Sequence, residues 1–114
     1  MEFTASSEAQ AGAMVVRAVG DVDLASAPVL RSAIEDAWVP PQPLIVDATQ
    51  VAFIDSTGLG VLVAAVQRTR SEGGQVAIAV TADRVRKVLT ITGLDAFVAV
   101  HPTVADALRA TETP

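Results

Sequence analysis

The sequence predicts an α/β fold: a mixed, mostly parallel sheet of about five strands and about four α-helices, in the order β-β-α-β-α-β-α-β-α. Short apolar runs, too short for helices, alternate with longer segments whose apolar residues recur at helical spacing. Several of the short runs are apolar almost throughout, which is typical of strands covered on both faces. This alternation favours parallel strands joined by right-handed helical crossovers.

The composition is that of one compact domain. The 114 residues are 51% hydrophobic and 18% charged, which is enough apolar material for a single core. We therefore expect one domain over residues 1–114, with a frayed tail at 112–114. The formal net charge of −5 argues against direct contact with nucleic acid or an anionic membrane surface.

Cysteine is absent, and histidine occurs once, as His101. Disulfides, thiolate metal sites and thiol catalysis are therefore excluded, and we expect neither a metal site nor a cofactor. Residues 1–12 lack the basic and apolar regions of a signal peptide, and the longest apolar run, Gly58–Val66, is shorter than the ~20 residues of a membrane span. We expect a cytoplasmic protein.

The N-terminal third predicts a hairpin followed by a helix. Met1–Ala13 is expected to be a weak edge strand and turn, in which Ser6–Gly12 is small and polar, and Met14–Val19 is the second strand. Pro28 is tolerated only in the first turn of a helix, so Ser26 or a near neighbour is the predicted N-cap.

Trp38, near the end of this helix, is interpreted as a packing residue of the core or its rim. A Pro-Pro-Gln-Pro segment then ends the helix, and Leu44–Ala48 is a predicted buried strand. Thr49–Ile54 is expected to be a loop in which Val51 and Phe53 turn inward.

The next helix is expected to end at Gly73-Gly74, and Gln75–Val80 is a further predicted strand, after which Thr81 is a plausible N-cap. The helix that ends at Gly73-Gly74 has a predicted inward face, which consists of Leu59, Leu62, Val63 and Val66.

The C-terminal third predicts a helix that ends at Gly93 in the left-handed conformation, with Leu94 folding back onto the helix. Ala96–Val100 is the last predicted strand. Thr103 and Asp106 form a predicted capping box that opens the last helix.

One motif lies between the buried strand and the second helix: Asp55-Ser56-Thr57-Gly58-Leu59-Gly60. The first N–H groups of a helix lack partners within it, and the helix dipole favours negative charge there, so a phosphate on Ser56 would find donors in place. The alternative is that Asp55 or Ser56 is only the N-cap and that the glycines only allow tight packing.

The motif departs from three catalytic patterns. The nucleophile elbow of hydrolases requires glycine at the position of Ile54, and the phosphate-binding loop of nucleotide hydrolases requires a lysine that is absent from the motif. The dinucleotide-binding fingerprint requires a third glycine at the position of Val63. A nucleophilic Ser56 would also need a base, and His101 follows a different strand.

From about Met14 to Ala110 the chain resembles the STAS domain, named from sulphate transporters and anti-sigma factor antagonists. The resemblance depends on Gly20-Asp21-Val22-Asp23, where the family often has Gly-Glu-Leu-Asp, on the Asp55–Gly60 motif, and on Thr92-Gly93-Leu94. The chain is most similar to the free-standing bacterial anti-anti-sigma factors.

This resemblance implies a switch. Unphosphorylated protein binds an anti-sigma factor and frees a sigma factor; the anti-sigma factor, itself a serine kinase, phosphorylates Ser56 and ends binding, and a phosphatase restores it. The protein would be a monomer or weak homodimer and not an enzyme. The implied partner-binding residues are Asp23, Asp55, Ser56, Thr57, Gly58, Leu59 and Gly60. The alternative is a STAS scaffold subunit of a sensory complex or the soluble partner of a transporter.

Overall fold

A computed structural model describes residues 2–111, so the predicted frayed tail at 112–114 lies outside the described residues. The element order is the predicted one, with a short 3-10 turn before the last strand. The elements are β1 (Thr4–Gln10), β2 (Ala13–Val19), α1 (Ala27–Ala37), β3 (Leu44–Gln50), α2 (Ser56–Glu72), β4 (Val76–Val80), α3 (Asp83–Ile91), the 3-10 turn Leu94–Ala96, β5 (Ala99–His101) and α4 (Val104–Thr111).

The five strands form one sheet in the order β1-β2-β3-β4-β5. The β1–β2 pair is antiparallel and the other three pairs are parallel, which confirms the predicted mixed sheet. Val16, Val46 and Ile78 lie side by side across the three central strands. The carboxyl ends of β2 and β3 therefore meet at one edge, where the candidate site lies.

The two faces of the sheet are covered unequally. Side chains alternate between faces along a strand, so Val16 and Val46 face the large core under α1, α2 and α3. Val15 and Ile45 face a smaller cluster closed by Ala107 of α4. Trp38 is buried, as predicted, and its indole N–H donates to the Gln42 carbonyl at 2.7 Å.

The N-terminal hairpin is longer than predicted, because β1 continues through Gln10. Ser6 and its neighbours were expected in a turn, but they pair with the apolar strand β2 along its whole length. The turn itself is only Ala11 and Gly12, with φ of 49° and 84°. Positive φ at both central residues suits the right-handed twist of a two-residue hairpin.

Two predictions about buried side chains were wrong, one in the loop before α2 and one in α2 itself. Phe53 was expected to turn inward but is 38% exposed, whereas Val51 is buried as predicted. Val63 was assigned to the buried face of α2 but is 39% exposed, while Val61 and Ala65 are buried. The helix is turned slightly relative to the prediction, because Val61 and Ala65 occupy the face that packs on the sheet.

Thr81 is not an N-cap. The residue before α3 is Ala82, and the Thr81 hydroxyl instead donates to the Thr49 carbonyl at 2.9 Å. The bond joins the end of β3 to the residue that follows the neighbouring strand β4. Sequence spacing alone could not indicate it, because the residues are far apart in the chain.

The end of α3 and the start of α4 follow the prediction. Gly93 has φ of 76°, its N–H donates to the Thr90 carbonyl at 3.1 Å, and Leu94 is buried in the core. The Asp106 N–H donates to the Thr103 hydroxyl at 3.0 Å, which is one half of the predicted capping box; the Asp106 carboxylate accepts instead from Arg109. The last strand, predicted at Ala96–Val100, is Ala99–His101, because the turn after Gly93 continues as a 3-10 turn through Ala96.

Candidate partner-binding site

Asp55 is the N-cap of α2. Its Oδ1 accepts hydrogen bonds from the Thr57 N–H at 2.9 Å and the Gly58 N–H at 3.2 Å, and the Thr57 hydroxyl donates to the same oxygen. The Leu59 N–H donates to the Asp55 carbonyl at 3.0 Å, which is the first bond of the helix. The capping interpretation of Asp55 is therefore confirmed.

The same bonds fix the charge of Asp55. The hydrogen bond from the Thr57 hydroxyl is the largest cause that lowers the pKa of Asp55; desolvation opposes it, and the N–H groups of Gly58 and Thr57 add to it. Each of these donors stabilises the ionised carboxylate. A negative charge therefore lies at the first turn of α2 at neutral pH.

Ser56 is the first residue of α2 and is exposed. Its hydroxyl has no hydrogen-bond partner within residues 2–111. The Asp55 carboxylate already accepts from the N–H groups of Thr57 and Gly58, so a phosphate on Ser56 would compete with it for these two helix donors. Ser56 is exposed and directly follows this ionised carboxylate in the chain.

Asp23 is held in a turn that precedes α1. Its Oδ1 accepts from the N–H groups of Ala25 and Ser26, each at 3.1 Å, and its own N–H donates to the Ser26 hydroxyl at 2.9 Å. Such reciprocal bonds resemble a capping box. The helix begins after Ser26, as predicted, but the Ser26 side chain bonds back to Asp23 and to the Asp21 carbonyl instead of capping the helix.

Backbone hydrogen bonds bring the two loops together. The Val22 N–H donates to the Phe53 carbonyl at 2.9 Å, and the Asp55 N–H donates to the Val22 carbonyl at 3.1 Å. Val22 and Ile54 thus form a parallel bridge just beyond the ends of β2 and β3. Asp23 and Asp55, which follow these two residues, lie at the same edge of the sheet.

The two glycines of the motif have different surroundings. Gly58 is buried, and a Cβ atom there would lie 2.6 Å from Val22 Cγ1 and 2.7 Å from Ile54 Cγ1. A Cβ atom on Gly60 would meet nothing within 4 Å. Gly58 therefore serves the packing of α2 on the Val22–Ile54 bridge, whereas Gly60 leaves open space on the helix surface.

Leu24, which was not among the predicted site residues, is 75% exposed between Asp23 and Ala25. The only signal was a large apolar residue inside a capping turn. Because Leu24 is exposed and follows Val22, which bonds to the Asp55 segment, it adds apolar surface to the loop that lies at this edge of the sheet. Leu59, by contrast, is half-buried against the core.

A family model described as the STAS domain matches residues 4–107 of the chain. The chain belongs to the STAS domain family. The matched range includes both loops of the candidate site and all five strands of the sheet. Among the residues that the structure describes, this STAS domain has no helix with the length and apolarity needed to cross a membrane.

Similar proteins carry related names. The STAS domain is 33% identical over 79 residues to the anti-sigma-B factor antagonist of Bacillus subtilis, covering 69% of this chain and 72% of that protein. It is 34% identical over 76 residues to the anti-sigma-B factor antagonist of Listeria monocytogenes, covering 66% and 67%. The crystal structure of an anti-sigma factor antagonist from Mycobacterium paratuberculosis superimposes with a TM-score of 0.88 at 31% identity, covering 98% of this chain and 96% of that one.

Proposed function

We propose that this STAS domain is an anti-sigma factor antagonist that binds an anti-sigma factor while Ser56 is unphosphorylated and is released when Ser56 is phosphorylated. One observation carries the proposal: the exposed Ser56 hydroxyl, which has no hydrogen-bond partner among residues 2–111, lies at a capped helix start. The names of the similar proteins support the class of partner.

The hydrogen bonds favour Ser56 over the neighbouring hydroxyls as the acceptor. The Thr57 hydroxyl donates to the Asp55 carboxylate, and the Thr49 hydroxyl donates to the Asp47 carboxylate at 2.7 Å. A kinase would have to break either bond before transferring phosphate, whereas the Ser56 hydroxyl is free. In the proposed step the γ-phosphoryl group of ATP passes to Ser56 Oγ, ADP leaves, and a base on the kinase takes the hydroxyl proton.

Charge alone explains how the switch would act. A phosphoserine carries about −1.5 to −2 charge at neutral pH. Because Asp55 already accepts from the N–H groups of Thr57 and Gly58, the phosphate would meet a like charge at these two helix donors. A partner that removes water from Ser56 would then bury an unpaired charge at a cost of roughly 3–5 kcal/mol, which weakens binding by about two to three decades or more.

The proposed cycle follows from this difference in affinity. The unphosphorylated domain occupies the anti-sigma factor, so that the sigma factor is free. The anti-sigma factor, acting as a serine kinase, phosphorylates Ser56 and dissociates, and a phosphatase returns the domain to its binding form. The capped helix start remains intact throughout, so no large conformational change is required.

Titration calorimetry with the anti-sigma factor of the native host, together with intact-mass analysis in the presence of ATP, tests the proposal. Ser56→Ala should bind as the wild type does and gain no phosphate, whereas Ser56→Glu should bind far more weakly. Ser32→Glu is the matched control, since it adds the same charge to an exposed serine on a different helix, α1. Phosphate mapped to Thr57 or Thr49, or unchanged affinity of Ser56→Glu, would refute it.

A further inference from the structure

A second exposed surface lies on the same side of α2 as Ser56. Gly60, Val63, Gln67 and Arg70 follow Ser56 by four, seven, eleven and fourteen residues. At 100° per residue, all of them fall within roughly 40° of Ser56 around the helix axis. One stripe of the helix therefore runs from the candidate phosphorylation site to Arg70.

The far half of this stripe borders a groove of about 260 Å³, closed on its other side by the turn that follows α3. Val63, Leu94 and Phe97 form its apolar walls, and Phe97 is 58% exposed. The Arg70 guanidinium lies 5.2 Å from the centroid of the Phe97 ring, which is cation–π geometry. We call this feature the α2 groove.

The chemistry of the α2 groove is that of a protein contact. Exposed aromatic rings and arginine side chains are enriched at the centres of protein interfaces and in their energetic hot spots. Within the described residues 2–111 no carboxylate lines the groove, although the protein as a whole has a net charge of −5. A partner can therefore cover it without burying an unpaired negative charge.

The dimensions allow a single partner to cover the groove and Ser56 together. At 1.5 Å per residue, Val63 lies about 10 Å and Arg70 about 21 Å from Ser56 along the helix axis. A standard interface buries about 800 Å² on each partner, which corresponds to a patch roughly 30 Å wide. A contact that desolvates Ser56 and spreads along α2 thus reaches the groove.

We propose that the anti-sigma factor also docks in the α2 groove and packs an apolar side chain between Val63 and Phe97. This inference rests on the proposed function, because it assigns a second anchor to the same partner. The hydrogen bonds that hold Asp55 come from Thr57 and Gly58 and do not involve Val63 or Phe97. The two anchors therefore contribute separately to the free energy of binding. The groove sets the affinity that remains when Ser56 is phosphorylated.

Calorimetry with the full chain and the anti-sigma factor of the native host tests this anchor. Phe97→Glu should weaken binding by at least about tenfold, as expected for a hot-spot aromatic residue. Val39→Glu is the matched control: Val39 is 69% exposed, and it lies in the α1–β3 connection, at the opposite edge of the sheet from Ser56. It should leave the affinity unchanged. Val63→Gln, with no added charge, should also weaken binding.

The outcomes separate this inference from the proposed function. If the Phe97 and Val63 variants, folded by circular dichroism, bind as Val39→Glu does while Ser56→Glu binds weakly, the groove anchor is refuted and the phosphorylation switch stands. If sedimentation shows that Phe97→Glu alters self-association only, a second copy of this chain covers the groove, and the inference is overturned. If Phe97→Glu weakens binding but Ser56→Glu does not, the groove anchor stands and the switch fails.

Discussion

Alanine at each of the two motif glycines should change stability in opposite directions. At Gly58 the new Cβ atom would lie 2.6 Å from Val22 Cγ1 and 2.7 Å from Ile54 Cγ1, distances that require both buried side chains to shift. Overpacking of this kind costs about 1–3 kcal/mol, and replacement of a helical glycine by alanine returns up to about 1 kcal/mol. The net expectation is a loss of about 1–2 kcal/mol.

Gly60→Ala is the matched partner of Gly58→Ala, because it makes the same change two residues further along the same helix. Its Cβ atom meets nothing within 4 Å, so only the helical preference of alanine remains, and the domain should gain up to about 1 kcal/mol. For 114 residues an unfolding entropy near 2.1 cal/mol/K per residue gives about 4 °C in Tm per kcal/mol. The Tm should thus fall by about 4–8 °C for Gly58→Ala and rise by up to about 4 °C for Gly60→Ala.

Thermal unfolding followed by circular dichroism at fixed pH measures both shifts. A Tm for Gly58→Ala at or above that of the wild type would refute the packing argument. Gly60→Val tests whether a partner approaches the motif closely, because a Cβ atom on Gly60 meets nothing within 4 Å and the substitution leaves the core untouched. Gly58→Val would not be a clean test, since it would first disrupt the contact with Val22.

Two further predictions concern Asp55 and Trp38. Thr57→Val should raise the pKa of Asp55 toward 3.8, because it removes the hydroxyl that lowers it most, whereas Ser56→Ala should leave it unchanged; carboxyl carbon NMR titration measures both. Because the pKa of Asp55 is lower in the folded than in the unfolded protein, ionised Asp55 stabilises the fold above the unfolded pKa, and this stabilisation is lost as the pH falls through the folded pKa. Thr57→Val should therefore lose less stability than the wild type over this acidic range. Equal loss of stability in acid for the wild type and Thr57→Val would contradict this. Trp38→Phe should lower the free energy of unfolding by about 1–3 kcal/mol, because it removes the indole hydrogen bond to the Gln42 carbonyl and leaves a void. Urea unfolding followed by circular dichroism measures this loss, and an unchanged unfolding midpoint would contradict it.

Local signals determined most of the fold. Apolar runs such as Leu44–Ala48 are too short for a helix, and α3 ends at Gly93 in the left-handed conformation that glycine adopts without a steric penalty. The same kind of signal located the candidate site, since a polar motif that follows a buried strand and precedes a helix lies at an edge of the sheet. Asp55 as a cap was predictable because its side chain bonds within its own turn.

Tertiary structure decided what the local signals could not. Residues 61–66 of α2 are all apolar, so their spacing does not indicate which side of the helix faces the core. Packing on the sheet buries Val61 and leaves Val63 exposed. Gly58 and Gly60 are equivalent in sequence, and they differ because the Val22–Ile54 bridge lies under one of them. Both decisions depend on contacts between segments that are distant in the chain, which a local pattern cannot encode.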